Sequence, residues 1–157
     1  PERQIIVQRA PGTDILVCEE SYLEQMLSNL LGNAHKYSPA DDPIELHIDR
    51  TEDEVRFRVL DRGPGVLPEE LPLLFESFYR SARTAGTAPG KGLGLAVCKR
   101  LAEAQGGRVW AARRSGGGLE VGFALPFVTE DYLNETDPPK AVTAVNRRVG
   151  SDASDTP

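Results

Sequence analysis

Four short runs hold the residues that could do chemistry. In "SYLEQMLSNLLGNAHKY" (21–37), Gln25, Asn29, Asn33 and Lys36 recur at spacings of 4, 4 and 3. In a helix that spacing lays them along one stripe. Asn is a poor helix former, and a solvated face more often uses Glu, Lys or Arg. Two amides one turn apart with an ammonium at the end suit an anionic, metal-bearing substrate, since Mg²⁺ accepts an amide oxygen while keeping waters and phosphate oxygens. A plain polar surface is the alternative. In "VLDRGPGV" (59–66), Asp61 ends an alternating apolar stretch, and Gly63-Pro64-Gly65 turn the chain. A carboxylate at the lip of a core can accept a hydrogen bond from an amino group such as that of adenine. It can equally be an ordinary strand-end Asp. In "LFESFYRS" (74–81), Phe75, Phe78 and Tyr79 precede Arg80, and Arg83 follows. These arginines are either solvated beside a core-packing turn or placed next to phosphate.

The fourth run is "GTAPGKGLGLAV" (86–97). Such glycines bring backbone close to a partner, often phosphate. It is not a Walker A loop: Gly86 and Gly90 are separated by three residues, and Gly92 follows Lys91 where Ser or Thr is required. Nor is it a dinucleotide-binding turn, because small polar residues precede it instead of an apolar strand.

These runs need elements to hold them. Leu23, Met26, Leu27, Leu30, Leu31 and Ala34 form the apolar side of a first helix. "LGLAVCKRLAEAQ" predicts a second, ended by Gly106-Gly107. "QIIVQ" and "DILVC" read as short strands. "IELHIDR" and "EVRFRVLD" alternate with period 2 about a turn at 51–53, and "RVWAARR" and "LEVGFALP" pair around 115–118. "LPEELPLLFESFYRS" starts with a Pro-initiated helical turn, and 81–91 reads as a loop. Hairpins with two amphipathic helices between them predict a two-layer α/β sandwich.

The 157 residues suffice for one domain, with 39% apolar and 27% charged residues. The net charge of −6 argues against nucleic acid as a partner. Cys18 and Cys98 build neither a disulfide framework nor a metal site. No run approaches a membrane span, so no membrane contact by this chain is expected. The chain starts at Pro1 without Met, as expected of a piece of a longer protein, whose anchor, if it has one, would lie elsewhere. Residues 1–127 are expected to fold as one domain. Residues 128–157 carry six acidic and three basic residues, two adjacent prolines and little periodicity, and are expected to be a disordered tail.

The order of the four runs resembles the catalytic ATP-binding domain of sensor histidine kinases, within the wider gyrase/MutL-type ATPase group. Residues 19–37 resemble the family's N box, "DRGPGV" the G1 box, "LFESFYRS" the F box and "GKGLGLAV" the G2 box. "GGRVWAARRSGGGLEVGFALP" resembles the closing strands, so the likeness covers about residues 3–127. It implies an α+β Bergerat-type fold: a mixed, mostly antiparallel sheet with helices packed on one face. It also implies ATP and Mg²⁺ as cofactors. Asn33 would coordinate Mg²⁺, and Asn29 would line the phosphate site. Lys36 and Arg80 would offset phosphate charge. Tyr37 would lie against adenine and Asp61 would bond its amino group, with Gly63 and Gly65 passing close to the base. Val66 and Tyr79 would belong to the same site. Residues 66–92 would be an ATP lid, hinged by the glycines of 90–94, with Leu93, Gly94 and Leu95 closing the pocket and Gly92 in the same site.

Two positions depart from the family pattern. Glu19 stands where Asp is common, and Lys91 replaces a small residue. Lys91 would add a phosphate contact or reflect a more exposed lid. No catalytic acid or base is implied within the chain; Asn33 and Arg80 would assist phosphoryl transfer. His35 and His47 lack the acceptor's helical-hairpin setting, which implies an acceptor histidine on a dimerisation domain of the same parent, outside this chain. A response regulator is the further partner implied, and the cytoplasm the compartment. The alternatives are a stand-alone gyrase/MutL-type ATPase that drives dimerisation, and a non-catalytic binding module.

Overall fold

The computed structural model describes residues 2–13, 16–81 and 92–127, together with the backbone of Thr143 and Ala144. In chain order the elements are β1 (Ile5–Arg9), β2 (Val17–Cys18), α1 (Glu20–Tyr37), β3 (Ile44–Arg50), β4 (Glu54–Leu60), a 3-10 helix (Pro68–Leu73), α2 (Gly94–Ala104), β5 (Arg108–Arg113), β6 (Leu119–Pro126) and β7 (Thr143–Ala144). Five strands form one sheet in the order β1-β3-β4-β6-β5. Strand β1 runs parallel to β3, and the remaining neighbours are antiparallel. The parallel pair follows from connectivity, because the chain passes through α1 between β1 and β3. This is the mixed, mostly antiparallel sheet that the sequence resemblance implies.

Both helices cover one face of the sheet. On α1 the buried residues Leu23, Met26, Leu30 and Ala34 follow helical spacing, and α1 packs on β3, β4 and α2. Helix α2 buries Leu95, Ala96, Cys98 and Ala102 against β5 and β6. The strands supply Val55, Phe57 and Val59, then Val121, Phe123 and Leu125, alternating inward. Phe57 and Phe123 are register partners and stack with ring centroids 4.8 Å apart. Burial pushes the thiols of Cys18 and Cys98 up to about 11 and about 12, so both are core residues of low reactivity.

The other face of the sheet carries ion pairs. Arg56 and Arg58 both donate to Asp49, at 2.6 and 3.0 Å, and Arg58 also reaches Glu120 at 3.3 Å. Arg108 grips Glu54, and Arg114 donates to Glu45. Arg114 and Arg108 are the leading causes that hold Glu45 and Glu54 below the ordinary carboxylate value of 4.5. A carboxylate lowered in the fold stabilises it above its unfolded value, and that stabilisation is lost as pH falls through the lower folded value. The urea midpoint is therefore expected to drop on acidification below about pH 4.5, and the Arg114→Ala variant is expected to show a shallower drop.

Four segments bear on the sequence reading. The stretch after Val66 forms a 3-10 helix, with Pro72 inside it. Proline removes an N–H and clashes with the preceding turn, so an α-helix does not continue there. Of "DILVC", only Val17–Cys18 is described as strand; Asp14 and Ile15 lie outside the described residues. So do residues 82–91, with Arg83, Lys91 and most of the loop expected there. Within the expected tail, Thr143–Ala144 pair antiparallel with Val17–Cys18, and its other residues lie outside the described set. Among the described residues no helix is long and apolar enough to cross a membrane.

Candidate nucleotide site

A cavity of about 370 Å³ opens between α1, the turn after β4, the end of the F-box run and the start of α2. That is within the range of small-molecule sites. With its apolar stripe spent on the core, α1 turns Asn29, Asn33, Lys36 and Tyr37 onto the cavity wall. Gln25, on the same stripe one turn earlier, is exposed and off the wall. Asp61, Gly65 and Val66 form a second wall, Tyr79 and Arg80 a third, and Gly92, Leu93, Gly94 and Leu95 a fourth. Thus the structure gathers four runs that are far apart in sequence. Gly63 is off the wall but shapes it, and Lys91 lies outside the described residues.

Asp61 is the buried carboxylate of the site, 4% exposed. Its Oδ1 accepts the N–H of Gly63 at 2.8 Å and that of Leu119 at 3.2 Å. Among the described residues nothing donates to Oδ2. Burial pushes the Asp61 carboxyl above its ordinary 3.8, and the two backbone N–H groups and Arg114 oppose this without cancelling it. Gly63 lies so near the end of α1 that a Cβ there would stand 2.5 Å from the Tyr37 carbonyl oxygen. Gly63→Ala must therefore push the turn off the helix and displace Asp61. We expect it to weaken nucleotide binding by about tenfold, measured by calorimetry.

At the other end, the Asn29 side-chain amide donates to the Gly94 carbonyl at 3.0 Å, tying α1 to the first residue of α2. The start of α2 has no side-chain cap among the described residues, so its first-turn N–H groups are available to an anion. Asn29 and Tyr37 are eight residues apart, about 12 Å along the helix axis. The cavity is therefore polar in a directional sense. A buried acceptor sits beside Tyr37, and amides with a helix N-terminus sit beside Asn29.

Sequence reasoning missed several wall residues: Ser28, Gly32, Pro64, Leu74, Ser81 and Leu119. It also missed Glu70, buried at 7% exposure just behind the wall. Glu70 stands three residues after Leu67, and the two exchange bonds across that turn: Leu67 N–H to Glu70 Oε2 at 2.8 Å, and Glu70 N–H to the Leu67 carbonyl at 2.9 Å. Leu67 has no side-chain acceptor, so no capping-box signature in the sequence marked Glu70. His35 and His47 stay off the cavity wall; His47 pairs with Glu45 at 3.0 Å on the far face of the sheet. Among the described residues no cluster of three or more His, Cys, Asp or Glu could cage a metal. The Asn33 amide on the wall fits a Mg²⁺ ion held chiefly by phosphate oxygens.

Comparison with known proteins agrees with this geometry. Residues 18–129 match the family described as histidine kinase-, DNA gyrase B-, and HSP90-like ATPase. The sensor histidine kinase WalK of Bacillus subtilis is 35% identical over 129 residues, covering 79% of this chain and 21% of WalK. The mycobacterial sensor histidine kinase MprB superposes with a TM-score of 0.69 at 28% identity, covering 79% of this chain and 83% of that one. Full-length ShkA, solved in complex with AMPPNP, superposes with a TM-score of 0.68 at 36% identity, covering 80% of this chain and 26% of that one. The chain thus spans about a fifth of WalK and a quarter of ShkA. It belongs to the histidine kinase-, DNA gyrase B- and HSP90-like ATPases, and within them it is a sensor-histidine-kinase type of ATP-binding domain.

Proposed function

We propose that this chain binds Mg·ATP in the cavity and transfers the γ-phosphate to a histidine on a dimerisation domain of the same parent protein, from which a response regulator takes it. The observation that carries the reading is Asp61. One carboxylate oxygen is committed to two backbone N–H groups, and the other is left for a ligand, at the end of the cavity opposite the amides. Adenine offers the matching donor in its amino group. Tyr37 and Val66 flank the base, with Gly63 and Gly65 close to it. Asn29 and the first N–H groups of α2 face the phosphates, and Lys36, Tyr79 and Arg80 complete that end. The Asn33 amide oxygen would be the protein's ligand to Mg²⁺, and Leu93, Gly94 and Leu95 close the site. Residues 66–92 are the lid of this site, and Lys91 within it is a candidate phosphate contact. When bound, Mg²⁺ offsets charge on the phosphate oxygens.

Catalysis by these residues is positioning and charge compensation, and the base that activates the acceptor stands beside the histidine. The compartment is the cytoplasm. The test is to fuse the full chain behind a histidine-bearing helical hairpin and supply labelled ATP and Mg²⁺. Acid-labile, base-stable label on the acceptor histidine is expected. ATP hydrolysis with no labelled protein would instead favour a stand-alone ATPase.

A further inference from the structure

We infer that Glu70 is a positioning residue for the phosphate end of the site, acting through Tyr79 and Ser81; this rests on the ATP reading above. Glu70 touches no part of the cavity itself, yet its carboxylate is a hub. Oε2 accepts the Leu67 N–H at 2.8 Å, and Oε1 accepts the hydroxyls of Tyr79 and Ser81, each at 2.9 Å. Tyr79 and Ser81 bracket Arg80, and all three line the cavity. Leu67 follows Val66, which lines it from the other side. One buried anion therefore joins the base-flanking turn to the segment that carries Arg80.

The backbone gives a second, independent observation. Phe78 adopts φ 66, the left-handed region that a bulky residue occupies only when its surroundings impose it. Phe78 is 70% exposed, so burial of the residue does not hold it there. What holds it is the pair of anchors on either side. The Phe78 N–H donates to the Gly92 carbonyl at 2.9 Å, and Gly92 is so close that a Cβ would meet the Tyr79 carbonyl oxygen at 2.5 Å. One residue on, the Tyr79 hydroxyl is fixed to Glu70. Phe78 itself is off the wall, but strain maintained one residue before the wall residue Tyr79 points to a segment whose placement is used. Here the clamped segment leads directly into Arg80, whose guanidinium suits phosphate. Glu70 thereby sets triphosphate affinity without contacting the ligand.

The test compares two ligands, an ATP analogue with Mg²⁺ and adenosine, in calorimetry on the full chain. Glu70→Gln keeps the shape but cannot accept all three donors at full strength. Tyr79→Phe combined with Ser81→Ala removes the two hydroxyl donors and leaves Glu70 in place, which covers the case in which Glu70→Gln fails to fold. Both variants are expected to bind the triphosphate about tenfold more weakly while binding adenosine almost as the parent chain does. Wild-type affinity for the triphosphate in either variant, or equal losses for both ligands, would overturn the positioning role. A parent chain that binds neither ligand would overturn the ATP reading, and this inference with it.

Discussion

Asp61→Asn is expected to fold and yet to lose ATP by about a hundredfold, because it reverses one hydrogen bond and leaves the others in place. The asparagine oxygen can take over the Oδ1 position and still accept the N–H groups of Gly63 and Leu119. Its NH₂ then faces the cavity where the carboxylate Oδ2 stood. Two donors meet when adenine is bound, whereas guanine presents an acceptor at the same edge. The variant should therefore narrow the preference for ATP over GTP as well as weaken ATP binding, and competition with both nucleotides measures this. The pH response follows from the same group. Burial raises the Asp61 carboxyl above 3.8, so in the folded chain it takes up a proton at a higher pH than in the unfolded chain. Ionised Asp61 thus costs stability as pH rises through that window, while in the proposed function the ionised form would bind the base. ATP affinity in the parent chain is expected to fall as pH drops through the raised value. The Asp61→Asn variant should lack that dependence.

Asn33→Ala is expected to reduce phosphohistidine formation by at least about a hundredfold, with the thermal midpoint unchanged or slightly raised. The rise would come from propensity, since alanine is the better helix former. Asn33 lies on the cavity wall and carries none of the buried contacts of α1. On the proposed reading its loss would fall on the metal. Without the amide oxygen, the ion and the γ-phosphate would no longer be placed together, and in the proposed phosphoryl transfer charge compensation would be this chain's main catalytic contribution. Binding of ATP measured without Mg²⁺ should change little, whereas the gain in affinity on adding Mg²⁺ should disappear. Full labelling by the variant would remove Asn33 from the metal site.

Much of this was legible because the residues concerned repeat at the period of their element. The series through Leu23, Met26, Leu30 and Ala34 announces α1, and once that face is assigned to the core, Asn29, Asn33 and Lys36 have one side left to occupy. Asp61 was legible because strand alternation ends at it and glycines follow. What stayed hidden depends on contacts between runs distant in sequence. Nothing local shows that Gly63 abuts the Tyr37 carbonyl, or that β1 pairs with β3 rather than with β2. Glu70 reads as one of two adjacent surface glutamates, and only the fold reveals hydroxyl donors arriving from Tyr79 and Ser81. Thr143–Ala144 lie in a stretch of acidic, proline-bearing composition, and only the fold shows them paired with Val17–Cys18. The helical reading after Val66 reached the right segment but not its tighter 3-10 form, which Pro72 favours.

A crystal structure of the full chain with Mg²⁺ and a non-hydrolysable ATP analogue addresses the central claim most directly. The purine amino group should stand within hydrogen-bond distance of Asp61 Oδ2, with the phosphates beside Asn29, Asn33 and the first turn of α2. A base lying at the α2 end, or a nucleotide bound elsewhere with the cavity closed by the protein's own side chains, would contradict it.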